Sequence, residues 1–213
     1  MIRIAPDILE CDMNDSRPAD RFMLWIDSVG GYMVSLSEEV VLGQPTRLAA
    51  ADVPILGDLG GRHAVIRREG NDYSIEALRT VSVNDRPLRG ACRLRDGCRL
   101  RLGDSVRLLF RRPHAFSNTA RLDFVSSHRT QPSADAVLLL ADTCLLGPSL
   151  RCHVVCRAWT AAVLLYPRQG EIYCRTDKPV VIDGAVCPGG GRIGRYSRVE
   201  GDGFSFNLEP IVE

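Results

Sequence analysis

The stretch that decides the fold is Val-Val-Leu-Gly-Gln-Pro at residues 40–45, which recurs as Cys-Leu-Leu-Gly-Pro at residues 144–148. The shared Leu-Gly step lies 104 residues further along the chain in the second copy. Asn84 maps in the same way to Asp183, at an offset of 99 residues. Because the offset is nearly constant, the sequence predicts two copies of one structural unit.

Length and composition limit the class of protein. The chain has 213 residues, enough for two domains of about 100 residues each. Its hydrophobic content of 45% is ordinary for a globular protein, and its net charge is only +1. A net charge this low excludes a strongly basic nucleic-acid-binding arm, so we expect no nucleic-acid partner.

The hydrophobic runs are too short to span a membrane. The densest, residues 136–141, falls far below the ~18 apolar residues that a span requires. Residues 1–10 include two carboxylates and lack the long apolar core of a secretion signal. We expect no membrane partner and, by elimination, a cytoplasmic location.

The eight cysteines lack the spacing of a zinc site. No pair has the two-residue gap of a zinc knuckle, and the nearest approach is Cys152, His153 and Cys156. In a chain without a secretion signal, free buried thiols are the better explanation. We therefore expect no metal and no cofactor.

Short apolar runs of four to six residues alternate with turns about every ten residues along the chain. This pattern is typical of an all-β sandwich. We predict an all-β fold with an N-terminal arm at 1–20, a first domain at 21–125, a linker at 126–136 and a second domain at 137–213.

Arginines crowd residues 93–112. In Arg-Leu-Arg-Leu at 99–102 they alternate strictly with leucines, so one face of the strand is basic. Two interpretations stay open: a solvated outer sheet face, or a docking surface for an acidic partner. Nucleic acid is not expected there, because no aromatic residues interleave to stack on bases.

Three motifs of the first copy resemble those of the forkhead-associated (FHA) domain. Gly-Gln at 43–44 stands where the family has Gly-Arg, Gly-Gly-Arg-His at 60–63 where it has Ser-Arg-x-His, and Asn-Asp at 84–85 where it has Asn-Gly. The resemblance covers residues 22–124 and extends weakly to 137–208 through the repeat. It implies tandem FHA-like β-sandwiches, the fold of a family that reads phosphothreonine through loops at one end of the sandwich.

The departures fall on the two residues that contact the phosphate in the family. Gln44 lacks the charge of the family's arginine, and Gly60 lacks the hydroxyl of its serine. Hydrogen bonds to a charged group contribute about 1.5–3 kcal/mol each, so losing both predicts binding weaker by about 10²-fold or more. Arg47 or Arg62 could supply the missing charge.

Other residues of the loop set match the family. The resemblance implies that Gly43 and His63 brace the loops, and that Asn84 holds the peptide backbone beside the phosphothreonine. An asparagine that only satisfies its own turn is an equally good explanation of Asn84.

The second copy departs further. Pro148 stands at the Gln44 position, Trp159-Thr160 falls where Gly60 stood, and Asp183 puts a carboxylate where the first copy has Asn84. A carboxylate there would repel phosphate.

Enzyme motifs are missing from the sequence, including the nucleophile elbow, the metalloprotease helix, the P-loop and the dinucleotide fingerprint. We therefore predict a non-enzymatic protein–protein interaction module, an adaptor or scaffold with a degenerate phosphothreonine-binding loop set. The alternative is a functional phosphothreonine-peptide reader that uses Arg47 or Arg62. A positive loop-end pocket beside Asn84 would favour the reader, and a neutral or apolar one the adaptor.

Overall fold

The computed structural model describes residues 21–46 and 51–211. All the regular secondary structure in these ranges is β-strand. The predicted arm at 1–20 and the candidate Arg47 lie outside the described residues. The all-β prediction is confirmed. Within the described ranges, no helix is long and apolar enough to cross a membrane.

The strands fall into two series. The first copy contains β1 (Arg21–Ile26), β2 (Gly30–Ser35), β3 (Glu39–Gly43), β4 (Val53–Pro54), β5 (Ala64–Glu69), β6 (Asp72–Ala77), β7 (Val81–Val83), β8 (Arg86–Pro87), β9 (Ala91–Leu94), β10 (Arg99–Leu102) and β11 (Val106–Arg111). The second contains β12 (Ala120–Phe124), β13 (Ala136–Leu139), β14 (Cys144–Gly147), β15 (Val154–Val155), β16 (Val163–Arg168), β17 (Glu171–Arg175), β18 (Val180–Ile182), β19 (Ala185–Cys187), β20 (Gly190–Ile193), β21 (Arg198–Gly201) and β22 (Phe204–Pro210).

Each copy contributes one five-stranded sheet, and the two sheets have equivalent strand orders. The first runs β4-β3-β5-β6-β9 and the second β15-β14-β16-β17-β20, so that each strand corresponds to the one eleven places earlier. In both sheets the strand that ends in the Leu-Gly step pairs in parallel with a two-residue strand. Topology therefore repeats where the sequence repeats.

A third sheet of twelve strands is shared by both copies. Its order is β19-β18-β21-β22-β1-β2-β13-β12-β11-β10-β7-β8. The antiparallel pair β1–β2 thus lies beside β22 of the second copy, while β12–β13 lies beside β11 of the first. The two copies have exchanged their first two strands, and the parallel pairing of β2 with β13 joins the halves at the centre.

The exchange means that the predicted linker at 126–136 does not separate two sheets. Part of this segment pairs with the first copy: Ile55 forms a β-bridge with Thr130, and the Leu56 N–H donates to the Arg129 carbonyl at 2.8 Å. The segment runs into β13, the central strand beside β2. The predicted ranges 21–125 and 137–213 therefore follow the repeat along the chain but cut across the shared sheet.

Two hydrophobic cores lie on opposite faces of the shared sheet. Along β1, Phe22, Leu24 and Ile26 pack into the core of the second copy, while Met23 packs into that of the first. Strand residues point alternately to the two faces, so the central strands are buried on both sides. Each fully buried large apolar side chain contributes about 1.5–3 kcal/mol to stability, which makes the exchanged strands essential to both cores.

Candidate functional site

The loops at one end of the first sandwich converge on His63. This residue is 4% exposed, and its Nδ1 accepts the Gly60 N–H at 3.1 Å. Because Nδ1 is an acceptor, Nε2 carries the proton and donates to the Thr80 carbonyl at 2.8 Å. The same carbonyl accepts the Gly103 N–H at 2.9 Å. The His63 ring therefore ties the loops of Gly60, Thr80 and Gly103 together.

Gly43 allows two of these loops to touch. A Cβ at this position would lie 2.1 Å from the Gly61 carbonyl oxygen, so any other residue would clash with backbone. The adjoining hydrogen bonds run from the Gln44 N–H to the Gly60 carbonyl at 3.0 Å and from the Ile55 N–H to the Gly43 carbonyl at 2.7 Å. These bonds attach Gln44 to the loop that carries Gly60, and Ile55 to the end of β3.

Gln44 and Gly60 lie on facing loops at this end. The Gln44 side chain is half-buried and makes no hydrogen bond within the described residues. Gly60 has no positive φ, and a Cβ built on it would first meet Arg79 Cγ at 3.4 Å, an ordinary van der Waals contact. A serine would therefore fit at position 60, where the chain has no hydroxyl.

Two arginines lie near Gly60, Arg62 along the chain and Arg79 across the loops. Arg62 is exposed, and its guanidinium has no ion-pair partner within the described residues. Arg79, on the β6–β7 loop, is also exposed and unpaired there, and its N–H donates to the His63 carbonyl at 3.0 Å. Sequence reasoning missed Arg79, because the only signal for it was its position between two predicted strands.

Asn84 lies apart from these residues. It begins the tight turn between β7 and β8, where Asn84 and Asp85 have φ of 50° and 63°. Its Oδ1 accepts the Arg99 N–H at 2.9 Å, so the side chain ties this turn to the neighbouring strand β10. Because Asn84 is four residues beyond Thr80 along β7, the two residues are about 13 Å apart. Arg47, the remaining candidate, lies outside the described residues.

A shallow cavity of about 660 Å³ opens between these loops. Its charged lining residues are Asp58, Asp104 and Arg79, two carboxylates against one guanidinium. Leu78, which also lines the cavity, is 41% exposed. The loop end is therefore close to neutral in charge and partly apolar.

The equivalent end of the second copy has an apolar brace. The Gly147 carbonyl accepts the Cys156 N–H at 2.8 Å, as the Gly43 carbonyl accepts the Ile55 N–H. Trp159 is 5% exposed and stacks on Phe204 with ring centroids 4.7 Å apart. This stack replaces the polar bracing that His63 gives the first copy.

Asp183 also keeps the geometry of its counterpart. It has a φ of 50°, and its Oδ1 accepts the Arg198 N–H at 2.9 Å. Its Oδ2 accepts the Ser197 hydroxyl at 2.6 Å. Asn84 and Asp183 therefore play the same role in the two copies, since each ties its turn to the strand beside it, β10 or β21.

The cysteines and carboxylates form no metal centre in the described part of the chain. No group of three or more His, Cys, Asp or Glu residues is arranged to hold a metal ion there. Seven cysteines have free thiols, and Cys11 lies outside the described residues. Burial raises the pKa of the Cys156 thiol to about 12, which keeps it protonated.

Residues 40–103 match the family model of the FHA domain. Three solved structures are similar to part of the chain. One, from work on phosphothreonine-dependent FHA domain interactions, is 26% identical, covers 43% of this chain and 96% of its own, and has a TM-score of 0.33. The FhaA FHA domain complexed with the intracellular domain of Rv3910 is 25% identical, with coverages of 38% and 91% and a TM-score of 0.30. The Rv0020c FHA structure is 24% identical, with coverages of 42% and 91% and a TM-score of 0.29. None of the curated proteins matches.

Proposed function

Taking residues 40–103 as an FHA domain, we propose that the chain is a non-enzymatic cytoplasmic adaptor whose first loop end binds a protein partner without needing phosphothreonine. The second copy is then a degenerate unit that does not bind phosphate and that stabilises the first copy through the shared sheet. The observation that carries this proposal is the charge of the loop-end cavity, where Asp58 and Asp104 outnumber Arg79.

Electrostatics oppose a phosphate in this cavity. A phosphate group carries about −1.5 to −2 charges at neutral pH and needs charge-assisted donors. Gln44 offers a neutral amide, Gly60 offers no side-chain donor, and the carboxylates of Asp58 and Asp104 repel an anion. A neutral peptide segment that packs on Leu78 meets none of these costs.

A second candidate function is phosphothreonine reading. It is favoured by two exposed arginines that form no ion pair within the described residues: Arg79, whose side chain lies beside Gly60, and Arg62, two residues further along the chain. In this function they would replace the family's arginine. Alanine at both positions would then abolish phosphopeptide binding.

The test compares peptides that differ only in the phosphate. The natural protein and a Gln44→Arg/Gly60→Ser variant are titrated with paired phosphorylated and unphosphorylated threonine peptides by fluorescence anisotropy. The adaptor proposal expects no phosphate preference from the natural protein. The variant should gain about 2–4 kcal/mol of binding free energy for the phosphorylated peptide only, because it adds a guanidinium group and a hydroxyl.

The matched control is Gln44→Leu/Gly60→Ala, which adds similar bulk without charge or hydroxyl and should gain nothing. Tight, phosphate-dependent binding by the natural protein that disappears in Arg62→Ala/Arg79→Ala would replace the adaptor proposal with the reader.

A further inference from the structure

The outer face of β10 and β11 concentrates positive charge. Arg99 and Arg101 on β10 and Arg107 on β11 are all exposed, on the face opposite the leucines that fill the first core. In the antiparallel register, Arg101 lies directly opposite Arg107. We call Arg99, Arg101 and Arg107 the arginine face.

No carboxylate neutralises the arginine face within the described residues. Arg101 reaches only the Ser82 hydroxyl at 3.3 Å, and none of the three guanidinium groups forms a salt bridge. The next arginine on β11, Arg111, is by contrast 3.6 Å from Asp96. Like charges placed directly opposite on a sheet are destabilising, so this arrangement costs the fold free energy.

The second copy shows that the scaffold does not require this arrangement. Arg198 occupies the place of Arg99, because Asp183 braces it as Asn84 braces Arg99. The cross-strand pair after it is Glu200 with Ser205. Here the charge is balanced, since Arg198 forms ion pairs with Glu200 at 2.9 Å and with Asp27 at 3.2 Å. The same pair of strands therefore folds with or without the arginine face.

We propose that the arginine face is a docking surface for an acidic segment of a partner protein, separate from the loop-end cavity. Side chains on one face of an extended strand repeat every two residues, about 6.6–7 Å, which is the spacing of Arg99 and Arg101 along β10. An extended segment with acidic residues at alternate positions therefore matches this spacing. Arginine can bind each carboxylate through two parallel hydrogen bonds.

A protein segment fits the surface better than nucleic acid does. The arginine face contains no aromatic side chain on which a base could stack, and the whole chain has a net charge of only +1. Exposed Val125, 57% accessible, follows β12 next to Arg107 and gives the partner an apolar contact.

The test uses the full chain and a labelled peptide of about 12 residues in which glutamate and serine alternate, long enough to cover β10 when extended. Anisotropy titrations at low salt should show binding that weakens as salt rises from about 0.05 M to about 0.3 M. Arg101→Glu/Arg107→Glu should weaken binding by about tenfold or more. The control, Arg168→Glu/Arg175→Glu, changes net charge equally at two other exposed arginines and should leave binding nearly unchanged.

Four results would overturn the proposal. Equal weakening in both double variants would show that only net charge matters. Equal binding of a peptide with glutamine in place of glutamate would remove the role of the carboxylates. Equal binding of a single-stranded oligonucleotide would assign the face to any polyanion. Tighter peptide binding after deletion of residues 1–20, which contain five carboxylates and two arginines, would assign the face to the chain's own arm.

Discussion

Gly43 occupies the tightest point of the first loop end. The backbone of the loop that carries Gly60 lies against it, and His63 holds that loop from the other side. The corresponding glycine of the second copy, Gly147, is less confined, because a Cβ there would first meet Ala162 at 3.1 Å. The two glycines therefore form a natural pair for measuring the cost of close loop contact.

We expect Gly43→Ala to lower the free energy of unfolding by about 1–3 kcal/mol, since its Cβ would lie 2.1 Å from the Gly61 carbonyl oxygen. Gly147→Ala should cost clearly less. Urea denaturation of both variants tests the prediction. Equal losses would show that the Gly60 loop is not held against Gly43.

His153 couples stability to pH. It is fully buried beside β14, and its Nδ1 accepts the Leu145 N–H at 3.0 Å. Burial, with the nearby His114, lowers the pKa of His153 to about 4. The unfolded chain therefore binds a proton on this residue, with a pKa of about 6.5, well before the folded chain does.

It follows that the contribution of His153 to stability is fully present above about pH 6.5 and is lost as the pH falls toward 4. The loss over this window should be about 3 kcal/mol. His153→Asn keeps an acceptor near Leu145 but cannot titrate. Between about pH 6.5 and 4, the slope of its unfolding free energy against pH should therefore correspond to about one bound proton fewer than in the natural protein. Identical slopes in the two proteins would contradict the buried neutral histidine.

The sequence predicted only some of the residues that meet at the first loop end. The sequence indicated bracing roles for Gly43 and His63, because both match a motif with a strict steric or hydrogen-bonding need. It grouped Asn84 with them, although the length of β7 separates Asn84 from Thr80. It also missed Arg79, which comes to lie near Gly60 only when β5 and β6 pair. Which residues of different loops lie close together depends on how the strands pair, and the type of a single residue does not reveal that pairing.

At the scale of elements, the exchanged pair β1–β2 is the decisive feature. Its alternating apolar residues suit either neighbour, because both faces of these strands are buried. The sequence therefore predicted strands here but could not predict that they lie beside β22 instead of β11. The long connection from β12 to β13 is consistent with the exchange, because it reaches across to Ile55.

Leu24 and Leu122 provide a crosswise test of the exchange. Leu24, in the first copy, is fully buried in the second core, while Leu122, in the second copy, is fully buried in the first core. Leu24→Ala should cost about 2–5 kcal/mol and speed amide hydrogen exchange more in β16 and β17 than in β5 and β6. Leu122→Ala should show the reverse pattern. If each variant instead loosened its own copy, the strands would not be exchanged.

At the scale of the whole molecule, the shared sheet joins the two copies into one body. The chain between β11 and β14 contributes two strands to the middle of that sheet, and β1 and β2 contribute the other two. The first loop end and the arginine face are therefore carried on a scaffold that neither copy completes alone. In the proposed adaptor function, the shared sheet would hold these two surfaces at a fixed distance from each other.

The most direct test of the shared sheet is to cut the chain and ask whether it separates. A protease site is introduced after exposed Ser127, in the connection between β12 and β13, and the cleaved protein is run on size exclusion at low concentration. The exchanged sheet predicts one species of the full 23.5 kDa mass that splits into two pieces only in denaturant. Two separate folded fragments under native conditions would show independent sandwiches and contradict it.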